Sequence, residues 1–571
     1  MESQTALAES KQAKSGGSLA ELFGLDPRSL AAFRIGLAAL MLIDIFWRLF
    51  DVEAFYTDFG VLPRHTYTQL FANKYVMSFH MMSGQAYVQY ILLGIQAVFA
   101  TAMLVGYRTR IATVLAWVFL ISLHGRNPYI LQGGDILFRM FFFWAMFLPT
   151  GATWSVDSAL DQEGKDPVPA GIMSAGSIAL MLQIFFVYWF TMGLKTGSEW
   201  LRDFTAVHYA LHLDHFATPL AEWIREYDWL TTALTVITSV VEVLGPIVAL
   251  VAGRTWVRMG AVVVMIGMHI SFGATLKIGL FPWISIVGWF ALIPSVFWDR
   301  LGLALQSARE SRKLHAWLVD LGLTKHLTAR PVRWRSSKFA HVLCSLALLM
   351  VLVWNIDGME RPTTIKLGPL KTSFSAPKLD QRIKKVGWFF RLDQKWTMFA
   401  PRPMKGDGWF IVPGTFADGS VQDLFSNEQD GGEPVNFEKP DSVSSMYAGQ
   451  RWRKYMINIW MRDTKKHRRH YGAWLCRKWN RDKSPAEKLK LIHIYYMREM
   501  TLPDGPGLPH CVTLWTHWCT GDAKDLPDPP HVAQCKAITD GSKAAEAAEK
   551  ASAGGDAAPK KDVGEPQAKD I

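Results

Sequence analysis

The chain is 571 residues long, half of them hydrophobic and only 19% charged, with a formal net charge of +11. Length alone permits several soluble domains, but this apolar content argues against a purely soluble protein. The average joins two unlike parts: apolar runs of helical length fill Ser29 to Trp298, whereas charges and prolines are frequent from Asp357 onward.

Residues 1–20 are polar and lack the basic-then-apolar order of a cleavable signal peptide, so a disordered tail is expected there. A membrane-crossing helix needs about 20 apolar residues, fewer when neighbours shield it. Nine segments are candidates, centred on residues 29–50, 88–106, 110–123, 135–149, 173–192, 231–252, 257–275, 280–298 and 339–356. The third and fourth are short. Asp26 is a natural N-cap for the first, with Pro27 at the first helical position, where its missing N–H costs nothing. The expected fold is mostly α: a polytopic transmembrane bundle of about nine spans with a C-terminal mixed α/β domain outside the membrane. Its parts are a bundle over 21–300, a basic linker over 301–338, a last span over 339–356, an outer domain over 357–540 and a disordered tail over 541–571.

Basic residues in short loops stay on the cytoplasmic side. The stretch 299–338 is strongly basic and is expected inside. Counting back eight spans puts the N-terminus inside too, with the Arg108/Arg110 and Arg254/Arg258 turns; counting forward puts everything after Ile356 outside. In a bacterium this means the inner membrane and the periplasm. Cys344 lies in a span, and Cys476, Cys511, Cys519 and Cys535 all fall in the outer domain. In an oxidising compartment these four suit disulfides in any of three connectivities, while four buried thiols remain an equal alternative.

In the outer domain, Gly408 to Phe425 reads as two strands joined at the turn pair Asp418-Gly419. LKLIHIYYM and HCVTLWTHWC read as further strands and the basic stretch before them as helix. That stretch, Arg451 to Lys483, interleaves Trp452, Trp460, Trp474 and Trp479 with its cations. Such a mixture can bind nucleic acid, but outside a membrane the expected partners are anionic headgroups or an acidic polypeptide, and a solvated helix face is the default.

Ionisable groups inside spans cost about 2.5–3.5 kcal/mol each on insertion scales, so they pair or line a cavity. Arg34, Asp44, Arg139, Glu242 and His269 are such groups. The topology gathers His124, Asn127, Asp135 and Arg139 at the outer end of spans three and four, Lys195 after span five and His269 in the outer half of span seven. An outward-opening polar pocket is the expectation. Lys195 ends QIFFVYWFTMGLKTG between Gly193 and Gly197 and is either a general base with a burial-lowered pKa or an anchor snorkelling to headgroups. There is no phosphate-binding glycine loop, zinc-protease helix or nucleophile elbow, so neither metal nor nucleotide cofactors are indicated.

FRIGLAALMLIDI (Phe33 to Ile45), YRTRIATVL (Tyr107 to Leu115), WSVD (Trp154 to Asp157), QIFFVYWFTMGLKTGSEW (Gln183 to Trp200) and the helix carrying His269 stand in one order. In that order they resemble the vitamin K-dependent gamma-carboxylases and their bacterial relatives, the horizontally transferred transmembrane (HTTM) domain proteins, over roughly residues 21–300. QKWTMFAPRP, from Gln394 to Pro403, also looks like the bacterial members. The resemblance implies a base that deprotonates vitamin K hydroquinone, so that oxygen can generate a stronger base, which takes a γ-proton from a peptide glutamate before carbon dioxide adds. Lys195 resembles the lysine that starts this, although the family has a lysine pair and this chain has Lys195-Thr196. His269 is similar to a functional histidine of the later helix. A second family histidine follows an asparagine directly; here Asn127 precedes Pro128, and His124 stands nearby out of register.

Three functions stay open: a carboxylase or quinol-epoxidising enzyme using reduced vitamin K or menaquinone with Lys195, His269 and His124; a non-catalytic maturation or export factor holding a secreted peptide; and a transporter, hinted at by Glu242 beside Gly245 and Pro246. The lipid bilayer is the partner common to all three. Nucleic acid is not an expected partner, and the oligomeric state is left open.

Overall fold

The computed structural model describes residues 22–552 except 72–76, 162–170, 252–254, 303–311, 318, 322–336, 360–362, 368–369, 375–377, 426–433, 462–464, 503–504, 522–523 and 525–526. The expected tail over 1–20 and most of the basic linker lie outside the described residues. Residues 541–552, expected in a disordered C-terminal tail, instead continue a helix, Pro530–Ser552.

Each of the nine apolar segments is a helix: α1 (Pro27–Leu49), α2 (Ala86–Val105), α3 (Thr109–Arg126), α4 (Gly133–Ala145), α5 (Ala175–Leu194), α6 (Asp228–Val251), α7 (Thr255–Thr275), α8 (Phe281–Phe290) and α9 (Lys338–Asp357). Six of them, α1, α2, α5, α6, α7 and α9, are long and apolar enough to cross a membrane. With 13 and 10 residues, α4 and α8 reach only about 20 and 15 Å at 1.5 Å per residue, short of a hydrocarbon layer of about 30 Å. Both are apolar almost all round and buried, because longer helices screen them from lipid.

Local chemistry sets the helix ends. Asp26 caps α1, its carboxylate accepting from the Arg28 N–H at 2.7 Å, with Pro27 in the first turn. Gly106, at φ 74°, closes α2 in the left-handed conformation that glycine adopts without penalty. Asp157 of the WSVD segment accepts from the backbone N–H groups of Arg108 and Thr109, both at 2.8 Å, and so caps α3. Arg34 of α1 donates to the Trp154 carbonyl at 2.5 Å. Three of the sequence segments quoted above therefore meet at one end of the bundle and hold its helices in register. Helices α5 and α9 run parallel: the Ala175 N–H meets His341 at one end, and Gly193 packs on Met359 at the other.

The polar domain sits on the end where α5 and α9 finish. It contains a hairpin, β1 (Thr363–Leu367) with β2 (Leu370–Phe374), followed by α10 (Gln381–Phe389). Its main antiparallel sheet is built on the long strand β6 (Leu489–Leu502). Strands β3 (Gly406–Ile411) and β4 (Pro413–Phe416) follow one another along one edge of β6, and β8 (His510–Trp518) lines the other. β5 (Val421–Asp423) pairs with β4 through the Asp418-Gly419 turn, and the two-residue β7 (Gly505–Pro506) extends β6. Helices α11 (Gln450–Met461), α12 (Lys465–Trp479) and α13 (Pro530–Ser552) complete the domain. Disulfides Cys476–Cys519 and Cys511–Cys535 tie α12 and α13 to the C-terminal and N-terminal ends of β8. Cys344 is a buried free thiol in α9.

Candidate functional site

Helix α5 is apolar along nearly its whole length, so its one cation has to be dealt with where the helix stops. Lys195 occupies the C-cap, its N–H bonded to the Thr191 and Met192 carbonyls. Its side chain is only 3% exposed, and the ammonium donates to the Glu242 carboxylate of α6 at 2.7 Å. The same nitrogen lies 3.9 Å from the centre of the Trp200 ring, a cation–π contact strengthened by desolvation. Lys195 therefore does not snorkel: it is buried and paired.

The segment containing QKWTMFAPRP closes over this pair. Gln394 accepts from Gln183 of α5 at 2.9 Å and from Trp396 at 3.0 Å. The Phe399 carbonyl accepts from the Trp200 indole at 2.9 Å, and the Pro401 carbonyl accepts from the Gly197 N–H at 2.9 Å. A Cβ at Gly197 would stand 2.4 Å from the Arg402 side chain, which explains why glycine follows Lys195 so closely. Lys405 then binds Glu199 at 2.8 Å. This strap from the polar domain covers the one place where α5 ends in a charge.

His269 of α7 sits in an aromatic box. The Trp289 indole donates to the Tyr188 hydroxyl at 2.6 Å, which leaves the hydroxyl proton for His269 Nε2, 2.7 Å away. On that network the imidazole is the neutral Nδ1–H tautomer. Its Nδ1 is buried with no hydrogen-bond partner, with Phe272 and Phe281 rings 5.7 and 5.9 Å from the imidazole. Tyr188 and Lys195 are two turns apart on one helix, about 10 Å along its axis. No hydrogen bond or ion pair joins Lys195 to His269; what they share is α5, which carries Tyr188 against His269 and ends at Lys195.

His124 and Asp135 belong to a different, more tightly closed cluster. His124 Nε2 is 3.4 Å from Asp135, which also binds Arg48 of α1 at 3.2 Å and Arg451 of α11 at 2.8 Å. Asp44 completes the ring, at 2.7 Å from both Arg48 and Arg451. Arg48 also donates to the Tyr56 hydroxyl. Asp44, Asp135, Arg451, Gln132, Gln450 and Phe281 contribute to the lining of a cavity of about 10 Å³, the space of one water molecule. Phe281 thus borders both this cavity and the His269 box. The other two residues of the expected pocket serve elsewhere. Asn127 donates to the Phe55 carbonyl and caps the Tyr129 N–H, and Arg139 binds Asp393 and the Arg391 carbonyl at the root of the strap.

The basic and aromatic stretch corrects a sequence expectation. Arg451, Trp452, Arg453, Tyr455, His467, Tyr471 and Trp474 are buried, so the inner faces of α11 and α12 are neither a headgroup surface nor a solvated face. Arg451 reaches the α1–α4 acids, Trp452 donates to Asp51 at 2.9 Å, Asn458 donates to the Tyr129 carbonyl at 2.6 Å, and Arg477 donates to the carbonyls of Phe59 and Gly60. These cations are inward plugs. Tyr188, Trp200 and Arg451 are the site residues that sequence reading passed over. Only Tyr188 carried a signal, its spacing of seven from Lys195 on one helical face. Among the described residues no group of three or more His, Cys, Asp or Glu is arranged to hold a metal ion.

Comparison with known proteins agrees with the helical segments that carried the resemblance. The family model of the HTTM domain matches residues 24–297, from just before α1 to just beyond α8. No curated protein and no solved structure matches the chain. The bundle that carries Lys195, Glu242 and His269 is an HTTM domain, and the chain that carries it is an integral membrane protein.

Proposed function

We propose that this HTTM protein is a membrane enzyme in which Lys195 takes a proton from a lipid-soluble hydroquinone. The observation that carries this reading is the buried Lys195–Glu242 pair at 2.7 Å. A lysine–glutamate pair has no net charge whether the proton sits on nitrogen or on oxygen. Glu242 therefore offers the Lys195 proton a destination without leaving a lone charge in a low-dielectric site, where such a charge costs several kcal/mol. With its proton on Glu242, the Lys195 amine is a base. The Trp200 ring and the strap at Phe399 and Pro401 keep water from competing.

The residues suit a hydroquinone in donor chemistry: a buried amine, the Tyr188 hydroxyl and the unpartnered His269 Nδ1 beside the faces and edges of Phe272, Phe281 and Trp289. Lys195, Tyr188 and His269 are the residues that would hold it. Reduced vitamin K or menaquinone would supply an ionisable hydroxyl and reducing equivalents. Because Lys195 is 3% exposed, Trp200 or the strap has to move for any ligand to reach it. The orientation proposed is N-terminus inside and polar domain outside. Arg28, Arg108, Arg110, Arg258 and Arg300 gather at the opposite end of the bundle, and two disulfides lie in the polar domain.

The other two readings gain less. A peptide-holding role would rest on Arg451 to Lys483, a stretch that spends Arg451, Trp452 and Trp474 on internal packing. A transporter would call for a broken helix at Glu242, but α6 continues through Gly245 and Pro246. The test supplies purified protein in nanodiscs with reduced menaquinone or vitamin K, oxygen and labelled bicarbonate. Wild type is expected to form quinone epoxide, and Lys195→Arg, which keeps the charge but cannot yield its proton, is expected to lose about 100-fold or more of that rate. Label in an added glutamate peptide would make the enzyme a carboxylase. Equal turnover by the two proteins would remove Lys195 as the base, and no turnover by a folded wild type that binds the quinol would remove the reading.

A further inference from the structure

Helix α10 presents an outward face that does not belong in water. Ile383, Val386, Phe389 and Phe390 are each between 43% and 48% exposed. Spaced at i, i+3, i+6 and i+7, they form one stripe. Arg382 and Lys385 are exposed beside them. The opposite face is the one used for packing. A Cβ at Gly387 would stand 2.5 Å from the Trp354 ring, Trp388 lies edge-on to Trp354 at 6.1 Å, and Lys384 binds Asp357 at 2.8 Å. Trp354 and Asp357 are in the last turn of α9, a helix with the length and hydropathy of a membrane span. Helix α10 therefore lies against the end of a membrane span with its apolar stripe turned away from the protein.

We infer that α10 is an in-plane membrane helix that seats the polar domain on anionic phospholipid. The apolar stripe enters the boundary between headgroups and acyl chains, where such helices sink by about 5–10 Å, and Arg382 and Lys385 meet the lipid phosphates. Continuity with α9 fixes the level, since the Asp357–Lys384 pair joins the last residue of the span to the helix. The chain then leaves α10 directly into the strap: the Arg391 carbonyl and the Asp393 carboxylate both accept from Arg139, and Gln394 accepts from Gln183. Lipid contact at α10 thus anchors the root of the segment that covers Lys195. The inference stands on the placement of α10 and holds whether or not Lys195 is catalytic.

The test uses full-length protein with Cys344→Ser and Val386→Cys, a nitroxide on the new thiol, in nanodiscs of phosphatidylcholine with or without phosphatidylglycerol. A label at Asp418→Cys, in an exposed turn, is the water reference. The expected result is a Val386 label reached readily by oxygen and poorly by a nickel chelate, with nickel shielding stronger when phosphatidylglycerol is present. Nickel access equal to that at position 418 would overturn the inference. Shielding from both oxygen and nickel would overturn it in favour of a protein cover, such as a second copy. Identical shielding in the two lipid mixtures would overturn the anionic assignment. Ile383→Cys gives the same reading should Val386→Cys fail to fold.

Discussion

Two buried charge clusters lie toward the same end of the bundle, and they are built from different cations. Around Asp44 and Asp135 the partners are Arg48 and Arg451, and four groups close on themselves with two positive and two negative charges. At the end of α5 a single lysine meets a single glutamate. Guanidinium keeps its proton under all ordinary conditions and binds two carboxylates through its planar fork, so the arginine cluster can hold helices together but cannot exchange protons. An amine can do both. The difference separates a lock from a reactive pair, although on composition alone both are charges that a membrane should not tolerate.

The largest expected effect breaks the lock. Arg451→Met leaves Asp44 and Asp135 sharing Arg48 alone, and breaking a buried ion network typically costs about 3–5 kcal/mol. The midpoint of thermal unfolding in detergent should fall sharply, and the polar domain should become protease-sensitive while still tethered to α9. An unchanged midpoint would show that Arg451 is not holding the two parts together.

Next in size are the disulfides. Cys511 and Cys535 close a segment with a sequence separation of 24, and Cys476 and Cys519 one of 43. Replacing either pair by serine should cost about 2–4 kcal/mol by denaturant titration, the longer loop toward the upper end in the chain-entropy account.

The pair at Lys195 should respond differently to one change than to two. Glu242→Gln leaves a buried lysine without its carboxylate and should destabilise by about 3 kcal/mol, whereas Lys195→Met with Glu242→Met should come within about 1–2 kcal/mol of wild type. A double-mutant cycle on thermal stability reads the coupling directly. If the double variant lost as much stability as the single variants Lys195→Met and Glu242→Met added together, the two groups would not be interacting.

The smallest effect is acid sensitivity of the polar domain. Burial, with His493 adding to it, holds His531 down at about 4, and burial, with Arg469 adding to it, holds His517 at about 4. In the unfolded chain both titrate near 6.5. Between these values the unfolded state binds the extra protons, so stability is full above about pH 6.5 and is lost as pH falls toward 4. His531→Gln should flatten part of that slope in unfolding midpoints measured from pH 7 to 4.5.

What the sequence disclosed depended on how local the physics was. Hydropathy marked all nine bundle helices, because a lipid-facing or core helix must be apolar over its own length. It could not tell that α4 and α8 are short and shielded from lipid by the other helices, since burial by neighbours reads the same as burial by lipid. The Asp418-Gly419 turn was legible for the same local reason, with Gly419 at φ 83°. The arginine cluster was not legible: Arg451 stands 407 positions from Asp44, and a stretch of cations among tryptophans looks alike whether it faces headgroups or plugs a bundle. Nor does spacing announce that Asn127 caps a backbone turn. Lys195 stood out because it interrupts an apolar helix end; the identity of its partner, Glu242, rested on packing between α5 and α6.

The most direct test exchanges the two cations in kind. Lys195→Arg and Arg451→Lys are assayed side by side for quinol-dependent epoxide formation, with the thermal midpoint of each recorded in the same preparation. Lys195→Arg is expected to keep its midpoint and lose turnover, while Arg451→Lys, unable to bridge Asp44 and Asp135 with one ammonium, is expected to lose midpoint and retain turnover at low temperature. The reverse pattern, or turnover by Lys195→Arg at the wild-type rate, would contradict the assignment of the reactive pair.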